Sequence, residues 1–301
     1  MEQFFQQLTN GLAVGGIYAL IALGYTMVYG VLKLINFAHS DLFTLGAYLG
    51  LTLLSSLLLT DRLGPLWGTL LLAAMVMGLI ALVGALLDRT AYRPLRESPR
   101  LSAVVSALGA SIFIQNAIML VYGARFQVYP QNILPETALN LLGVQIPVIR
   151  ILVLLASLTL MTLLYLFIQK TKVGTAIRAA AIDQGAARLM GIDVNRVILL
   201  VFMIGPALGG TAGLMVGLYY GQINFTMGWV YGLKAFTAAI LGGIGNIPGA
   251  MVGGLLLGII EAMGAAYISI AWKDAIAFLV LILILIVRPT GLLGERVAEK
   301  V

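Results

Sequence analysis

Nine apolar stretches follow one another along this sequence of 301 residues, and most are long enough to cross a bilayer as an α-helix, which takes about 20 residues. The hydrocarbon core contains no water, so a spanning segment has to pair its own backbone groups, as a helix does. The stretches cover residues 8–30, 40–60, 66–87, 102–122, 148–169, 196–219, 229–243, 249–268 and 272–288. The sequence therefore predicts an all-α polytopic membrane protein, with residues 1–301 forming a single bundle of eight or nine transmembrane helices.

The composition excludes several other classes of protein. Hydrophobic residues make up 61% of the chain, 18 residues are Lys or Arg, 12 are Asp or Glu, and the mean hydropathy is +1.03. So few charged residues cannot cover a water-soluble surface, and disordered chains are far more polar. The net charge of +6 is not spread over a groove-sized face, so we predict no nucleic-acid partner.

Side chains for catalysis and metal binding are scarce. One His and no Cys cannot build a common structural zinc site. Residues 39–41 contain the residue types of a catalytic triad, but they are consecutive, whereas triad side chains converge from separate positions. The chain also has no P-loop motif for ATP hydrolysis. We therefore predict that it is not an enzyme and that it holds no metal and no cofactor.

The positions of the basic residues predict the topology. Twelve of the 18 fall in residues 88–100, 170–196 and 288–301, whereas residues 123–146 contain one. Short loops rich in Lys and Arg stay in the cytoplasm, so the three basic segments are predicted inside and residues 123–146 outside. Nine crossings then place the N-terminus outside and the C-terminus in the cytoplasm. The alternative is eight helices, with the short seventh segment re-entrant or the first pair miscounted.

Four glycines recur at every fourth position of one predicted helix. They are Gly205, Gly209, Gly213 and Gly217. Small residues at this spacing let the backbone of a neighbouring helix approach closely. We interpret them as a helix-packing ridge rather than a binding surface.

Two polar or glycine-rich breaks interrupt the apolar pattern, one in each half of the chain. They cover residues 34–41 and 242–249. Irregular backbone at membrane depth is tolerated where it is packed in protein or lines a wet cavity. Paired breaks of this kind indicate a transporter built from repeats around a central path, although the two halves share no recognisable identity.

Polar side chains inside the apolar segments are candidates for a translocation path, because such groups are costly there. They are Asn36, His39, Asp41, Lys234, Asn246 and Glu261. We predict His39 and Asp41 at the cytoplasmic junction of the first two helices, where solvation at the interface explains them equally well. Lys234 and Glu261 are predicted about 8 and 11 Å inside the outer end of their helices. Either they form a pair, or Lys234 extends to the headgroups and Glu261 alone lines a cavity.

The cytoplasmic segment 170–195 predicts a docking element. Gly174 is expected to break the preceding helix, Thr175 to cap a short helix, and Gly191 to end it. The predicted helix has a small apolar face and a few charges, which suits binding to a groove on another protein. A helix lying on the membrane surface is the alternative, but its alanine face is too slight to anchor well in lipid.

Three ordered blocks of sequence carry a resemblance to a known family. The first comprises residues 22–26, 29–31, 35–41 and 46–48; the second comprises Gly174, Arg178, Ala179, Asp183, Ala187, Gly191 and Ile192; the third is residues 234–250. With them the chain resembles, throughout its length, the LivH-type permease subunits of bacterial ABC importers for branched-chain amino acids. It departs from that pattern at Ser40, where the family usually has Gly, and at Asn246, where it usually has Ser. Gly185 also lies inside the expected cytoplasmic helix.

The resemblance implies a permease for Leu, Ile and Val in the bacterial inner membrane, with a periplasmic N-terminus and a cytoplasmic C-terminus. Its implied partners are a second permease subunit, two ATP-binding subunits, a periplasmic substrate-binding protein and the lipid bilayer. Segment 170–195 would be the coupling helix that transmits motion from the ATPases. The residues assigned to that role are Gly174, Arg178, Asp183, Arg188 and Gly191.

Other functions remain open from the sequence. A related ABC permease for urea, amides or other amino acids is the first alternative, because specificity can reside in the binding protein. An ion-coupled secondary transporter that uses Asp41, Glu261 or His39 as a proton relay is a second. A passive channel is a third, and its flux would continue without ATP.

Overall fold

The structure is a computed structural model that describes residues 2–57, 63–96, 98–130, 138–141 and 144–294. It confirms an all-α architecture, in which the described residues contain eleven α-helices and four short strands. The helices are α1 Glu2–Leu32, α2 His39–Leu57, α3 Pro65–Leu87, α4 Arg100–Tyr122, α5 Val148–Lys170, α6 Lys172–Ile182, α7 Gln184–Leu189, α8 Val194–Tyr220, α9 Met227–Gly242, α10 Ile247–Tyr267 and α11 Lys273–Val287. The strands are β1 Gln127–Val128, β2 Ala138–Leu141, β3 Val144–Pro147 and β4 Gln222–Ile223. Strand β1 pairs antiparallel with β4, and β2 with β3.

Eight helices of the described chain are long and apolar enough to cross a membrane. They correspond to eight of the nine apolar stretches. The remaining stretch forms α9, whose 16 residues span only about 24 Å. The short seventh segment is therefore a helix that is too short to span the bilayer alone.

Contacts between loops show that the bundle has two distinct ends. At one end Gln184 Nε2 donates to the Val31 carbonyl at 2.7 Å, and the Leu292 amide donates to the Leu241 carbonyl at 2.9 Å. We call this the basic end, because residues 88–96 and 170–196 also lie there. At the opposite end Gln6 Nε2 donates to the Gln145 carbonyl at 3.0 Å, and β1 pairs with β4.

The chain passes between these two ends nine times in the described residues. Helix α8 ends beside β4 at the opposite end, whereas α9 ends at the basic end, where residues 292 and 293 pair with its last turn. The chain from β4 to the end of α9 therefore completes a pass, although α9 forms only part of it. This arrangement agrees with nine crossings and not with a re-entrant seventh segment.

Helix α1 lies at the centre of the bundle and is buried on all sides over most of its 31 residues. Glycines allow this packing, because α1 and α10 touch backbone to backbone. A Cβ added to Gly258 would lie 2.3 Å from the Cα of Gly15, and one added to Gly254 would lie 2.4 Å from the Cα of Ala19. Close packing of these small residues holds the two helices together, because lipid provides no hydrophobic driving force for helix association.

Segment 170–195 differs from the single helix predicted from the sequence. Helix α6 begins after Thr171, whose side chain accepts a hydrogen bond from the Gly174 amide, so Thr175 is not the cap and Gly174 lies inside the helix. The helix stops at Ile182, because Asp183 takes an extended conformation and caps a second helix, α7. The predicted end at Gly191 is correct, since its φ of 81° suits a glycine after a helix.

Candidate functional site

His39 lies inside the bundle and not at the membrane surface, which corrects the sequence-based placement. Its ring is completely buried, its Nε2 lies 3.1 Å from the Ile21 carbonyl, and it packs between Gly24 and Gly209. Ile21 precedes the last residue of α1 by 11 positions, or about 16 Å along the helix. The last turns of α1 therefore extend beyond the start of α2, and solvation at the interface does not explain His39.

Asp41 is also buried and faces a different neighbour. Its Oδ2 accepts a hydrogen bond from Ser111 Oγ of α4 at 2.5 Å. The interaction ties the first turn of α2 to a helix that is otherwise mostly exposed on the outside of the bundle. His39 and Asp41 therefore hold two different helix contacts.

The two candidate asparagines make structural contacts at the basic end. The Tyr92 hydroxyl donates to Asn36 Oδ1 at 2.6 Å. Asn246 caps α10 by accepting from the Gly249 amide at 2.9 Å, while its Nδ2 donates to the Leu293 carbonyl at 2.8 Å. Asn246 thus fixes the second break in the apolar pattern against the segment that follows α11.

The glycine ridge of α8 faces α1, α2 and the loop after β1. A Cβ added to Gly213 would lie 2.0 Å from the Phe43 carbonyl oxygen, and one added to Gly217 would meet the Tyr129 ring at 2.4 Å. Tyr129 is buried there, its hydroxyl donates to the Ala47 carbonyl, and burial raises its pKa. The ridge is therefore occupied by packing contacts.

The structure brings Lys234 and Glu261 together. Lys234 Nζ lies 2.7 Å from Glu261 Oε1 and 2.7 Å from Asp274 Oδ1. Tyr18 donates a 2.8 Å hydrogen bond to Glu261 Oε2, and Lys273 Nζ lies 3.5 Å from Glu261 Oε1. We call these five residues the charged cluster. Tyr18, Lys273 and Asp274 were not predicted, because only the packing of α1, α10 and α11 brings them to Glu261.

The charged cluster lies near the ends of α10 and α11 that face the opposite end of the bundle. Glu261 is six positions before the end of α10, or about 9 Å, and Lys273 and Asp274 are the first two residues of α11. Lys234 is seven positions after the start of α9, or about 10 Å. Tyr18 contacts the cluster from near the middle of α1.

Arg178 joins the cytoplasmic segment to the bundle. Its Nη1 donates to the Ile168 carbonyl and to Gln169 Oε1, both at 2.7 Å, at the end of α5. Gly174 supports the same joint, because a Cβ there would lie 2.2 Å from the Ile168 carbonyl oxygen. The two residues fix the angle between α5 and α6.

The other predicted coupling residues shape α7. Asp183 Oδ1 accepts from the amides of Gly185 and Ala186, and Gly191 ends the helix with a positive φ. Gly185 thus lies in the first turn of α7 and not in the interior of a long helix. Arg188 is exposed and lines a cavity of about 790 Å³ at the basic end.

Three apolar side chains project from the tip of the cytoplasmic segment. Ile182 is 88% exposed, Leu189 is 91% exposed and Met190 is 82% exposed. None of the three lies in a membrane-spanning helix. Large apolar side chains exposed to water suit contact with another protein.

The fold and these sites define a class of protein: a multi-pass α-helical membrane permease. The family described as "Branched-chain amino acid transport system / permease component" matches residues 7–285, and the chain belongs to this family.

Several relatives match almost the whole chain. The high-affinity branched-chain amino acid transport system permease protein LivH of Escherichia coli K12 is 43% identical over 304 residues, covering 99% of this chain and 98% of the relative. The corresponding permease protein BraD of Pseudomonas aeruginosa is 46% identical over 309 residues, with the same coverage. The probable LivH of Methanocaldococcus jannaschii is 27% identical over 305 residues, covering 95% of this chain and 91% of the relative. No solved structure matched the chain.

Proposed function

We propose that this chain is a transmembrane permease subunit of an ABC importer for branched-chain amino acids. The observation that carries the proposal is the exposed apolar tip formed by Ile182, Leu189 and Met190. Hydrogen bonds from Arg178 and Gln184 tie the segment that carries this tip to the bundle. A docking element of this kind suits a permease driven by separate ATPases. The relatives that match almost the whole chain are permeases for branched-chain amino acids, which supports the substrate.

The proposed complex contains a second permease subunit, two ATP-binding subunits and a periplasmic substrate-binding protein. The basic end of the bundle is cytoplasmic by the positive-inside rule. The N-terminus, at the opposite end, is then periplasmic, and the C-terminus is cytoplasmic. Residues 1–301 act as one transmembrane permease domain in the inner membrane, and hydrolysis of ATP by the partners shifts the bundle between two packings.

Reconstitution tests the proposal. The complex co-purified with its neighbouring gene products, together with the binding protein, is expected to take up leucine, isoleucine and valine into proteoliposomes only when ATP is supplied. Uptake by this chain alone against a gradient, or uptake driven by a proton gradient without ATP, would overturn the proposal. ATPase stimulation by urea or amides, with none by branched-chain amino acids, would assign the permease to a different substrate.

Leu189→Asp is expected to prevent assembly with the ATP-binding subunits. A carboxylate at the apolar tip has to be desolvated in the interface, which costs several kcal/mol when it is unpaired. Pull-down of the ATPases by the tagged permease measures the effect. The matched control is Phe4→Asp, the same change at an exposed position of the opposite end. Equal recovery of the ATPases with Leu189→Asp and with the wild-type chain would refute docking at this tip.

Arg178→Ala is expected to leave the complex assembled but to reduce substrate-stimulated ATPase activity. The substitution removes the two hydrogen bonds between α6 and the end of α5, so motion of α6 is transmitted poorly to the bundle. Thr175→Ala on the same helix serves as the control, because it removes a hydrogen bond within α6 and leaves both hydrogen bonds from Arg178 to the end of α5. Unchanged stimulation with Arg178→Ala would argue against transmission through this joint.

A further inference from the structure

A cavity of about 430 Å³ opens between α1, α5, α8, α10 and α11, next to the charged cluster. Its lining includes Asn10, Arg150, Tyr220, Glu261 and Lys273. Asn10 and Arg150 lie towards the opposite end of the bundle, and Glu261 lies beside Tyr18, eight residues further along α1, or about 12 Å. Cavities of a few hundred Å³ with a few convergent polar groups are typical of small-molecule sites.

The cavity offers an unpaired donor. Arg150 Nη1 is buried and has no hydrogen-bond partner among the described residues, and no ion pair to Arg150 is present there. The charged cluster does not neutralise it, because Glu261 and Asp274 are already matched by Lys234 and Lys273. Among the described residues, one positive charge therefore remains in excess around the cavity. An arginine whose buried Nη1 has a free N–H is complementary to a carboxylate or a phosphate.

The same cavity offers an unpaired acceptor. Asn10 Nδ2 donates to Gln7 Oε1 at 3.2 Å, whereas Asn10 Oδ1 is buried without a partner. Both carboxylate oxygens of Glu261 are engaged, one by Lys234 and the other by Tyr18. Asn10 Oδ1 is thus a buried acceptor that is free to receive an ammonium group.

We propose that this cavity binds a free zwitterionic α-amino acid, with its carboxylate at Arg150 and its ammonium at Asn10. Val14, Ala262 and Ala265 also line the cavity and leave room for an aliphatic side chain. The inference rests on the proposed function, in which this end of the bundle faces the periplasm and the cavity receives substrate before translocation. A phosphatidylethanolamine headgroup carries the same pair of charges, so the experiment has to distinguish the two sources.

Binding of leucine to the purified complex, measured without the binding protein and without ATP, tests the proposal. Arg150→Gln is expected to weaken leucine binding by about tenfold or more, since it removes a charge-assisted hydrogen bond. Isocaproate, which lacks the ammonium group, should be weakened by Arg150→Gln but not by Asn10→Ala. Isoamylamine, which lacks the carboxylate, should show the reverse. Arg125→Gln, an exposed arginine near the same end, is the control and should change none of these affinities.

Three results would overturn the site. The first is an unchanged leucine affinity in Arg150→Gln. The second is no leucine binding to a wild-type complex that still imports leucine with ATP. The third is co-purified phosphatidylethanolamine that is lost in Arg150→Gln while leucine binding is retained. The binding measurement does not depend on uptake. Failure of ATP-driven uptake would therefore count against the proposed function alone, and the binding result would still decide the site. An unchanged thermal unfolding profile shows that each variant is folded.

Discussion

Lys234→Met is expected to destabilise the protein by about 3–5 kcal/mol, the usual cost of removing one partner from a buried ion pair. Lys234 forms ion pairs with both Glu261 and Asp274, and its Nζ lies 2.7 Å from a carboxylate oxygen of each. Its loss leaves two carboxylates close together, with only the half-exposed Lys273 to compensate. Thermal unfolding of the purified complex in detergent measures the change.

A second substitution separates charge from packing. Lys234→Met combined with Glu261→Gln removes the one negative charge that Lys273 leaves unbalanced and is expected to restore at least half of the lost stability. Lys33→Met, at an exposed lysine, should leave the unfolding midpoint unchanged. A double variant no more stable than Lys234→Met would contradict an electrostatic role for the cluster.

Gly258→Ala is expected to destabilise the protein by about 3 kcal/mol, and Gly258→Leu to prevent folding, because overpacking forces rigid elements apart. The added Cβ would lie 2.3 Å from the Gly15 Cα and 2.4 Å from the Gly11 carbonyl oxygen, so backbone and not a flexible side chain would have to move. Folded yield after membrane extraction and the unfolding midpoint report the effect.

Gly78→Ala provides the matched control for Gly258→Ala. Gly78 lies in α3, and a Cβ there meets nothing within 4 Å. The change should therefore be neutral, or stabilising by up to about 1 kcal/mol through helix propensity. Equal unfolding midpoints for the two alanine variants would show that Gly258 is not needed for close contact between α1 and α10.

The sequence predicts the helices well, because hydropathy and bilayer thickness together determine where each one runs. The depth of a polar side chain in the bundle and the identity of its partners are harder to predict from the sequence. The burial of His39 depends on α1 extending past the start of α2, and the partners of Glu261 depend on how the start of α11 packs against α10. Both follow from helix packing, which a hydropathy pattern does not encode.

The cytoplasmic segment shows a different limit of sequence-based prediction. Thr171 and Thr175 are equally good capping residues, and only the packing of Gly174 against the end of α5 selects Thr171. The sequence predicts one helix through this segment, although the side chain of Asp183 caps a new one. Ile182 and Leu189 were not selected, because their exposure follows from that change of direction between α6 and α7.

Helix α1 links the two ends of the molecule with one continuous element. Residues 2–32 contain no proline, and the helix has no break between Asn10, at the cavity, and Val31, whose carbonyl accepts the hydrogen bond from Gln184 of α7. A straight helix without a hinge transmits displacement along its axis with little loss. We therefore expect a shift of α7 by the ATPases to move Asn10 relative to Arg150. The nucleotide state would then change the affinity for an amino acid in a cavity about 32 Å from Val31 along α1.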